Sequence, residues 1–193
     1  MLSDRRRDAP PGVSLMYFTQ PVTSEIMDIY LLRHAIAVER GTPGYERDSD
    51  RELTPKGAKR MRRVAQGMLA MELSFDVILS SPFARAKQTA EIVADVFEAH
   101  KSLEFTDTLA VGGDPEELIK LIERKYNAAE SVLLVGHEPY MSSLISLLVS
   151  GDQNLMVTMK KGGLCKLSVE SLRYDQCATL EWLLTPSQMI LMR

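Results

Sequence analysis

The chain has 193 residues, of which 45% are hydrophobic and 25% are charged, which is an ordinary globular balance and enough apolar material for a buried core. The 23 basic and 26 acidic residues give a net charge of -3, which excludes a global basic field for nucleic acid. No apolar stretch approaches the roughly 20 residues that span a bilayer, and two cysteines do not make a disulfide framework. We expect a cytoplasmic, monomeric protein that binds neither nucleic acid nor membranes.

The first 26 residues differ from the rest of the chain. Residues 1–26 contain three prolines among mixed polar residues and show neither helical nor strand periodicity. The arginines at positions 5–7 are not followed by a hydrophobic run, so we do not expect a secretory signal in this segment. We predict a poorly ordered extension over residues 1–26 and a single domain over residues 27–193.

Strand-like and helix-like segments alternate from Met27 onwards. Short apolar runs predict buried parallel strands, and apolar stripes with helical spacing predict amphipathic helices. In chain order, the predicted elements are a strand at 29–32, a helix at 55–72 whose apolar stripe includes Leu69, a strand at 76–79, a helix at 82–98, a short strand at 103–106, a helix at 115–126, a strand at 132–135 and a helix at 139–150.

The C-terminal part has a different pattern. Residues 164–169 and 178–184 each show partial alternation of apolar and polar residues, which predicts an antiparallel hairpin at one side of the sheet. Together with the alternating strands and helices, this hairpin predicts an α/β fold. The expected architecture is a three-layer α/β/α sandwich whose sheet is mostly parallel, with antiparallel strands near the C-terminus.

Four predicted helices begin where a polar residue precedes proline, a pair that suits the N-cap and the first helical position. These pairs are Thr54-Pro55, Ser81-Pro82, Asp114-Pro115 and Glu138-Pro139. Two of them directly follow predicted strands, so their helices begin at the carboxyl edge of the parallel sheet. Such folds bind ligands at that edge, and helix N-termini attract anions.

Three segments bring histidines and arginines to this edge. The first strand ends in Arg33-His34, the second is followed by Arg85, and the strand at 132–135 is followed by His137. Arg33 ends a buried strand, where an unpaired charge is costly. Arg85 lies in the first turn of a predicted helix, where the helix dipole disfavours a cation. Neither position is one that a solvated surface arginine needs. A lone histidine is more often structural than catalytic, but the four residues together predict a site.

The chemistry that suits these four residues is phosphoryl transfer. The transferring group carries charge on its three equatorial oxygens, and the planar fork of arginine matches phosphate oxygens. Neutral imidazole can attack phosphorus and hold the phosphoryl group covalently, and nearby arginines favour the neutral form. We predict that His34 is the nucleophile, that Arg33, Arg85 and His137 hold the oxygens, and that no metal or cofactor is required.

Four short motifs resemble those of the histidine phosphatase superfamily and occur in the order found in that family. The motifs are Leu32-Arg33-His34-Ala35, Leu-Thr-Pro-Lys-Gly at 53–57, Ser80-Ser81-Pro82 followed by Arg85, and Val135-Gly136-His137. The resemblance covers about residues 27–184. It implies a phosphoglycerate mutase-like fold, phosphorylation of His34 and binding of the phosphoryl oxygens by Arg33, Arg85 and His137.

Within that superfamily the short chain is similar to the SixA-type phosphohistidine phosphatases. This similarity implies that the protein removes phosphate from a histidine on a signalling protein, typically a histidine phosphotransfer domain. Asp48, Asp50 and Arg51 also look SixA-like, although charged residues in a loop are more often a solvated surface.

Two features of the sequence bear on the substrate. Only residues 35–53 separate His34 from Thr54, so few residues are available for a lid, and an open site suits a phosphorylated side chain on a folded partner. Glu138 is the one candidate for the general acid that an alkyl phosphate needs. A carboxylate at a helix N-terminus also has a structural explanation, which we favour for Glu138.

Three functions are compatible with these patterns. The preferred one is a phosphohistidine phosphatase that acts through a covalent phospho-His34 intermediate. The alternative is a small-molecule phosphomonoesterase of the same superfamily, such as a sugar phosphatase. A catalytically inactive phosphate-binding interaction module is disfavoured, because loss of catalysis would be expected to remove at least one of the four site residues.

Overall fold

The computed structural model describes residues 26–193, so the extension predicted for residues 1–26 lies, except for its last residue, outside the described residues. The elements of the described part are β1 (Met27–Arg33), α1 (Pro55–Ala70), β2 (Val77–Ser80), α2 (Ala84–Phe97), β3 (Leu103–Phe105), α3 (Pro115–Lys125), β4 (Ser131–Gly136), α4 (Tyr140–Ser150), β5 (Leu164–Val169), β6 (Ala178–Leu184) and α5 (Pro186–Leu191). A one-turn 3-10 helix, Asp48–Asp50, lies in the loop between β1 and α1.

The strands of the described residues form one sheet in the order β3-β2-β4-β1-β5-β6. Strands β1 to β4 pair in parallel, whereas β5 runs antiparallel to β1 and β6 antiparallel to β5. The prediction of a mostly parallel sheet with antiparallel strands near the C-terminus is therefore confirmed. The parallel strands share one carboxyl edge, and that edge carries the residues described in the next subsection.

The side chains of β1 show how the helices cover both faces of the sheet. Ile29 and Leu31 pack with residues of α3 and α4, whereas Tyr30 and Leu32 pack with residues of α1, α2 and α5. Alternate residues of a strand point to opposite faces, and each of these four side chains is nearly inaccessible to solvent. The result is the expected three-layer α/β/α sandwich.

Two of the four polar-proline pairs cap helices as expected. The hydroxyl of Thr54 accepts a hydrogen bond from the backbone N–H of Gly57 at 3.0 Å, and Asp114 accepts one from Glu116 at 2.8 Å. At the first of these helix starts Gly57 has a second role, because a Cβ there would lie 2.0 Å from the carbonyl oxygen of Ile36. Glycine thus lets α1 begin directly against the segment that follows β1.

The other two pairs do not begin helices where we predicted. Helix α2 begins at Ala84 and α4 at Tyr140, so Ser81 and Glu138 precede their N-caps. The physical reason is that both side chains have other principal partners: the hydroxyl of Ser81 bonds to a histidine ring, and Glu138 accepts a hydrogen bond from Ser142 at 2.6 Å. At Ser81 a tertiary contact has overridden the local capping preference, and at Glu138 a hydrogen bond from a side chain within the first turn of α4 has done so.

Two further details of the sequence prediction were wrong. Leu69 lies outside the buried stripe of α1 and is 48% exposed, since it is one residue past the buried Met68 and thus turned toward solvent. Helix α5 was missed, although it begins with the same kind of signal as the others. Thr185 and Gln188 form a capping box there, with Pro186 in the first position.

Candidate active site

Backbone pairing at the carboxyl edge of β1, β2 and β4 sets the position of the candidate site. The N–H of His34, just after β1, donates to the carbonyl of Gly136 at 3.0 Å, and the N–H of Ser81, just after β2, donates to Val135 at 3.0 Å. His137 follows β4 directly. The parallel register therefore brings together the chain segments that the sequence places far apart.

His34 is held in one tautomer by the backbone of the next residue. Its Nδ1 lies 2.7 Å from the carbonyl oxygen of Ala35, and because a carbonyl only accepts, Nδ1 carries the proton. Its Nε2 is therefore unprotonated and carries a lone electron pair. Burial, with smaller contributions from the positive charges of nearby residues, lowers the pKa of His34 from 6.5 to about 3, so the neutral ring predominates near pH 7.

Arg85 reaches the same nitrogen from the first turn of α2. Its Nε donates to Nε2 of His34 at 3.3 Å, and the side chain is 3% exposed. The two terminal nitrogens turn the other way: Nη1 donates to the backbone oxygen of Asp48 at 2.6 Å, and Nη2 donates to the Asp48 carboxylate at 2.8 Å. The guanidinium is thus fixed at its far end, while its Nε edge faces the histidine.

Asp48 is a residue of this site that the sequence analysis assigned to a solvated loop, and the structure corrects that interpretation. Its other carboxylate oxygen accepts hydrogen bonds from Arg40 and Arg51. Burial by itself raises the pKa of Asp48, but the hydrogen bonds from the three arginines outweigh it and lower the pKa to about 2. The neighbouring Asp50 pairs only with Arg47 among the charged side chains of the described residues, which fits the solvated interpretation.

His137 faces His34, with their ring centres 5.2 Å apart. Its Nε2 lies 2.8 Å from the hydroxyl of Ser81, whereas its Nδ1 is buried and has no hydrogen-bond partner among the described residues. Burial, followed by the charge of Arg85, lowers the pKa of His137 to about 3. A buried ring nitrogen without a partner is costly unless a ligand satisfies it.

Arg33 is anchored by a segment for which the sequence analysis found no function. Its Nη1 donates to the backbone oxygen of Met159 at 2.6 Å, and the N–H of Gly162 donates to the backbone oxygen of Arg33 at 2.9 Å. Its Nε is buried without a partner among the described residues. The only sequence signal at 159–163 is the pair Gly162-Gly163, which is too general to predict this contact.

The candidate general acid lies beside these residues. Carboxylate oxygen Oε2 of Glu138 accepts from Ser142, and Oε1 is buried without a partner among the described residues. Glu138, His137 and Tyr140 line a cavity of about 240 Å³, and the Tyr140 hydroxyl also lacks a partner within residues 26–193. The third histidine, His100, is exposed and pairs with Asp95 at 3.0 Å, away from this edge.

The electrostatics of the site suit an anion with several oxygens. Arg33 Nε and the Nε edge of Arg85 offer N–H groups near the neutral His34, the second of them in a long hydrogen bond to that ring. With Arg33 Nε, His137 Nδ1 is the second buried nitrogen that has no partner among the described residues. Residues 26–193 contain no group of three or more His, Cys, Asp or Glu side chains arranged to hold a metal ion. Within the same residues, no helix combines the length and the apolar character needed to cross a bilayer.

Comparisons with known sequences identify the family. Residues 29–110 match the model of the histidine phosphatase superfamily, branch 1. An uncharacterised protein of Picosynechococcus is 36% identical over 142 residues, which cover 73% of this chain and 84% of the relative. The phosphohistidine phosphatase SixA of Escherichia coli is 27% identical over 163 residues, which cover 83% of this chain and 94% of SixA.

Comparisons with solved structures agree. The protein histidine phosphatase SixA complexed with tungstate superimposes with a TM-score of 0.71 at 26% identity, over 84% of this chain and 99% of that structure. A phosphoglycerate mutase of Bacillus anthracis superimposes with a TM-score of 0.58 at 14% identity, over 88% of this chain and 98% of that one, which shows the shared fold. The chain therefore belongs to the histidine phosphatase superfamily and is a phosphatase with SixA-type relatives.

Proposed function

We propose that the protein is a SixA-like phosphohistidine phosphatase that uses Nε2 of His34 as its nucleophile. The observation that carries this proposal is the fixed tautomer of His34. Its Nδ1–H is engaged by the Ala35 carbonyl, which leaves the Nε2 electron pair at the carboxyl edge, in contact only with the Nε–H of Arg85 among the described residues. A neutral nitrogen beside fixed cations is the arrangement that covalent phosphoryl transfer needs.

The proposed reaction has two steps. In the first, Nε2 of His34 attacks the phosphorus atom, the bond from phosphorus to a histidine nitrogen of the substrate protein breaks, and that nitrogen takes a proton from solvent. In the second, water attacks the phosphorus of phospho-His34, the bond to Nε2 breaks, and phosphate leaves with the free ring restored. Arg33, Arg85 and His137 hold the phosphoryl oxygens in both steps.

The absence of a well-placed general acid among the described residues is consistent with a phosphohistidine substrate. Glu138 forms no hydrogen bond with His34 or His137 in the described residues, and its Oε2 is engaged by Ser142. An imidazole leaving group needs less help from an acid than an alkoxide does. The SixA relatives, which are named for action on phosphohistidine or protein histidine, support the same substrate class.

A small-molecule phosphomonoesterase is the second candidate, and one observation favours it. The cavity of about 240 Å³ beside His137 has two buried polar atoms without partners within residues 26–193, Oε1 of Glu138 and the hydroxyl of Tyr140. Such atoms could meet the polar groups of a small phosphate ester. In that case Glu138 would supply the proton to the leaving oxygen.

The experiment that tests the mechanism is covalent trapping. Brief incubation with ³²P-phosphohistidine protein is expected to leave acid-labile, base-stable label on wild-type protein and on His100→Ala, whose histidine is exposed and remote. His34→Ala should take no label and lose turnover while it still binds phosphate. Full activity of His34→Ala would contradict the proposed mechanism.

The substrate is tested by comparing phosphohistidine protein with a panel of sugar phosphates at matched concentration. Preference for phosphohistidine protein supports the first proposal. Preference for a sugar phosphate, with a large loss in Glu138→Gln on alkyl esters alone, would instead establish the second. We also propose that residues 27–193 form one catalytic domain, which should retain full turnover when expressed without residues 1–26.

A further inference from the structure

Helix α1 carries an unusual concentration of positive charge. Its sixteen residues include three arginines and two lysines but no aspartate or glutamate, although the whole chain has a net charge of -3. Of these five cations, only Arg62 pairs with a carboxylate of the described residues, which is Asp95 at 3.1 Å. The remaining four have no ion-pair partner within residues 26–193.

These four unpaired cations share one face of the helix. Lys56, Lys59, Arg60 and Arg63 follow the spacing of three and four residues that aligns side chains along a helix. They line an open groove of about 460 Å³ together with Ile190 and Leu191 of α5. Leu191 is 84% exposed, so the groove combines a rim of positive charge with an apolar side chain that is free in the described part of the chain.

This arrangement works against the stability of the isolated protein. Like charges three and four residues apart repel one another along a helix. Lys56 lies in the first turn of α1, where the helix dipole also disfavours a cation. No carboxylate of residues 26–193 compensates these charges, so the cluster of cations does not stabilise the fold. Binding of a negatively charged partner explains the cluster better.

The face is continuous with the rim of the candidate active site. Arg60 and Lys161 border a small cavity together with Ala35 and Ile36, the two residues that follow His34. The next residue in the chain, Gly162, donates its N–H to the backbone oxygens of Arg33 and His34 at 2.9 and 3.2 Å. A partner lying on α1 would therefore reach the edge of the sheet at which the phosphoryl group is proposed to bind.

We propose that this face docks an acidic surface of the phosphohistidine-bearing substrate protein, beside its phosphorylated histidine. We call it the α1 docking face and define it by Lys56, Lys59, Arg60, Arg63, Lys161 and Leu191. The inference rests on the proposed function and adds the surface chemistry of the partner. The cations steer the acidic surface onto α1, and Leu191 contacts an apolar side chain of the partner.

Charge complementarity favours a protein partner over nucleic acid or an anionic membrane. The cations of the docking face are confined to one helix and an adjacent loop, whereas the chain as a whole is negatively charged and repels an extended polyanion. A folded protein with a local acidic patch can match the face without bringing much additional negative charge close to the rest of the surface.

The test uses Lys59→Glu/Arg63→Glu, which changes two exposed residues outside the proposed catalytic machinery. A matched control is Lys101→Glu/Arg124→Glu, which makes the same change in net charge at exposed cations near the amino edge of the sheet. The probes are an acidic histidine phosphotransfer domain, phosphorylated with phosphoramidate, and free phosphohistidine. For each protein, kcat and KM are measured with both probes at low and physiological salt.

The expected result is a loss of about tenfold or more in kcat/KM for the phosphotransfer domain in the docking-face variant, carried mainly by KM. Turnover of free phosphohistidine should stay within about twofold of wild type, and the control variant should resemble wild type with both probes. Raising the salt concentration should increase the KM of wild type for the domain more than that of the docking-face variant.

Several results would overturn the inference while leaving the proposed function intact. These are equal losses on both probes, equal losses in the control variant, or no preference of wild type for the domain over free phosphohistidine. The inference also fails if the docking-face variant loses binding to duplex DNA or phosphatidylserine vesicles but keeps its activity on the domain. If wild type hydrolyses neither phosphohistidine probe, the proposed function itself is wrong.

Discussion

Nε of Arg85 donates to Nε2 of His34 across 3.3 Å, and both side chains are buried at the carboxyl edge of the sheet. This hydrogen bond is long and ends on a neutral nitrogen, so it is weaker than a charge-assisted bond to a phosphoryl oxygen. Binding of phosphate would therefore draw the Nε–H away from His34 and onto the ligand. The exchange frees the electron pair of the nucleophile when a phosphorus atom is in place.

Arg85→Lys tests this exchange. Lysine keeps the positive charge but cannot present an Nε–H to the ligand while its far end is held by Asp48. We expect kcat to fall about 100-fold, with little change in the midpoint of urea unfolding. Arg62→Lys, at an exposed position on α1, serves as the control and should retain wild-type kcat. More than about a tenth of wild-type kcat in Arg85→Lys would show that Arg85 has another role.

Asp48→Asn tests whether Asp48 positions Arg85. The substitution removes the charge that holds Nη2 of Arg85 at 2.8 Å, so the guanidinium is expected to lose its alignment toward His34. We predict a decrease of about tenfold in kcat and a smaller change in the inhibition constant of inorganic phosphate. Asp48→Glu should recover part of the lost activity.

The same loop provides a matched control. Asp50 lies two residues from Asp48 and pairs with Arg47 at the surface. Asp50→Asn makes the same chemical change and should leave kcat within about twofold of wild type, since exposed ion pairs contribute little. Equal kcat values for the two asparagine variants would contradict a positioning role for Asp48.

The fold and the convergence of the four residues were predictable because their signals are local. Arg33 and His34 directly follow an apolar run, and Arg85 and His137 follow other apolar runs at short distances. In a parallel sheet, such positions lie at one edge regardless of the length of the connections between them. The antiparallel hairpin of β5 and β6 likewise follows from the alternation of its own residues.

Asp48 and Met159 could not be found in this way. Both lie in loops, and their contacts with Arg85 and Arg33 depend on how those loops return across the sheet edge. Charged loop residues are usually solvated, so the sequence alone favoured the wrong interpretation of Asp48. Ser81 shows the opposite case: its local signal was clear, but bonding to His137 displaced the helix start.

Gly57→Ala tests the close packing of α1 against the segment after His34. The added Cβ would lie 2.0 Å from the carbonyl oxygen and 2.9 Å from the carbonyl carbon of Ile36, and both atoms belong to backbone that cannot move independently. We expect the free energy of unfolding to fall by about 2 kcal/mol, measured by urea denaturation. Gln66→Ala, at an exposed position on the same helix, should stay within about 0.5 kcal/mol of wild type. Equal free energies of unfolding for the two variants would mean that α1 can shift to accommodate the added Cβ at no cost in stability.

The two buried histidines predict how stability depends on pH. Burial lowers the pKa of both His34 and His137 from 6.5 to about 3, so below pH 6.5 the unfolded chain binds protons that the native protein does not. Protonation therefore favours unfolding, and the free energy of unfolding should decrease as pH falls from 6.5 toward 3. The upper limit of the slope is about 1.4 kcal/mol per pH unit for each histidine.

Measurement between pH 6.5 and 4.5 separates the effect of the two histidines from that of Asp48. The pKa of Asp48 is lowered from 3.8 to about 2, so the stability that its ionised form contributes is lost only as the pH falls below about 3.8. Unfolding midpoints in urea at several pH values should show the decrease in wild type and about half of it in His137→Gln, which has one buried histidine fewer. His100→Ala, which removes an exposed histidine and leaves both buried ones in place, is the matched control. A flat profile in wild type would mean that His34 and His137 are protonated in the native protein, and a protonated His34 has no electron pair with which to attack phosphorus.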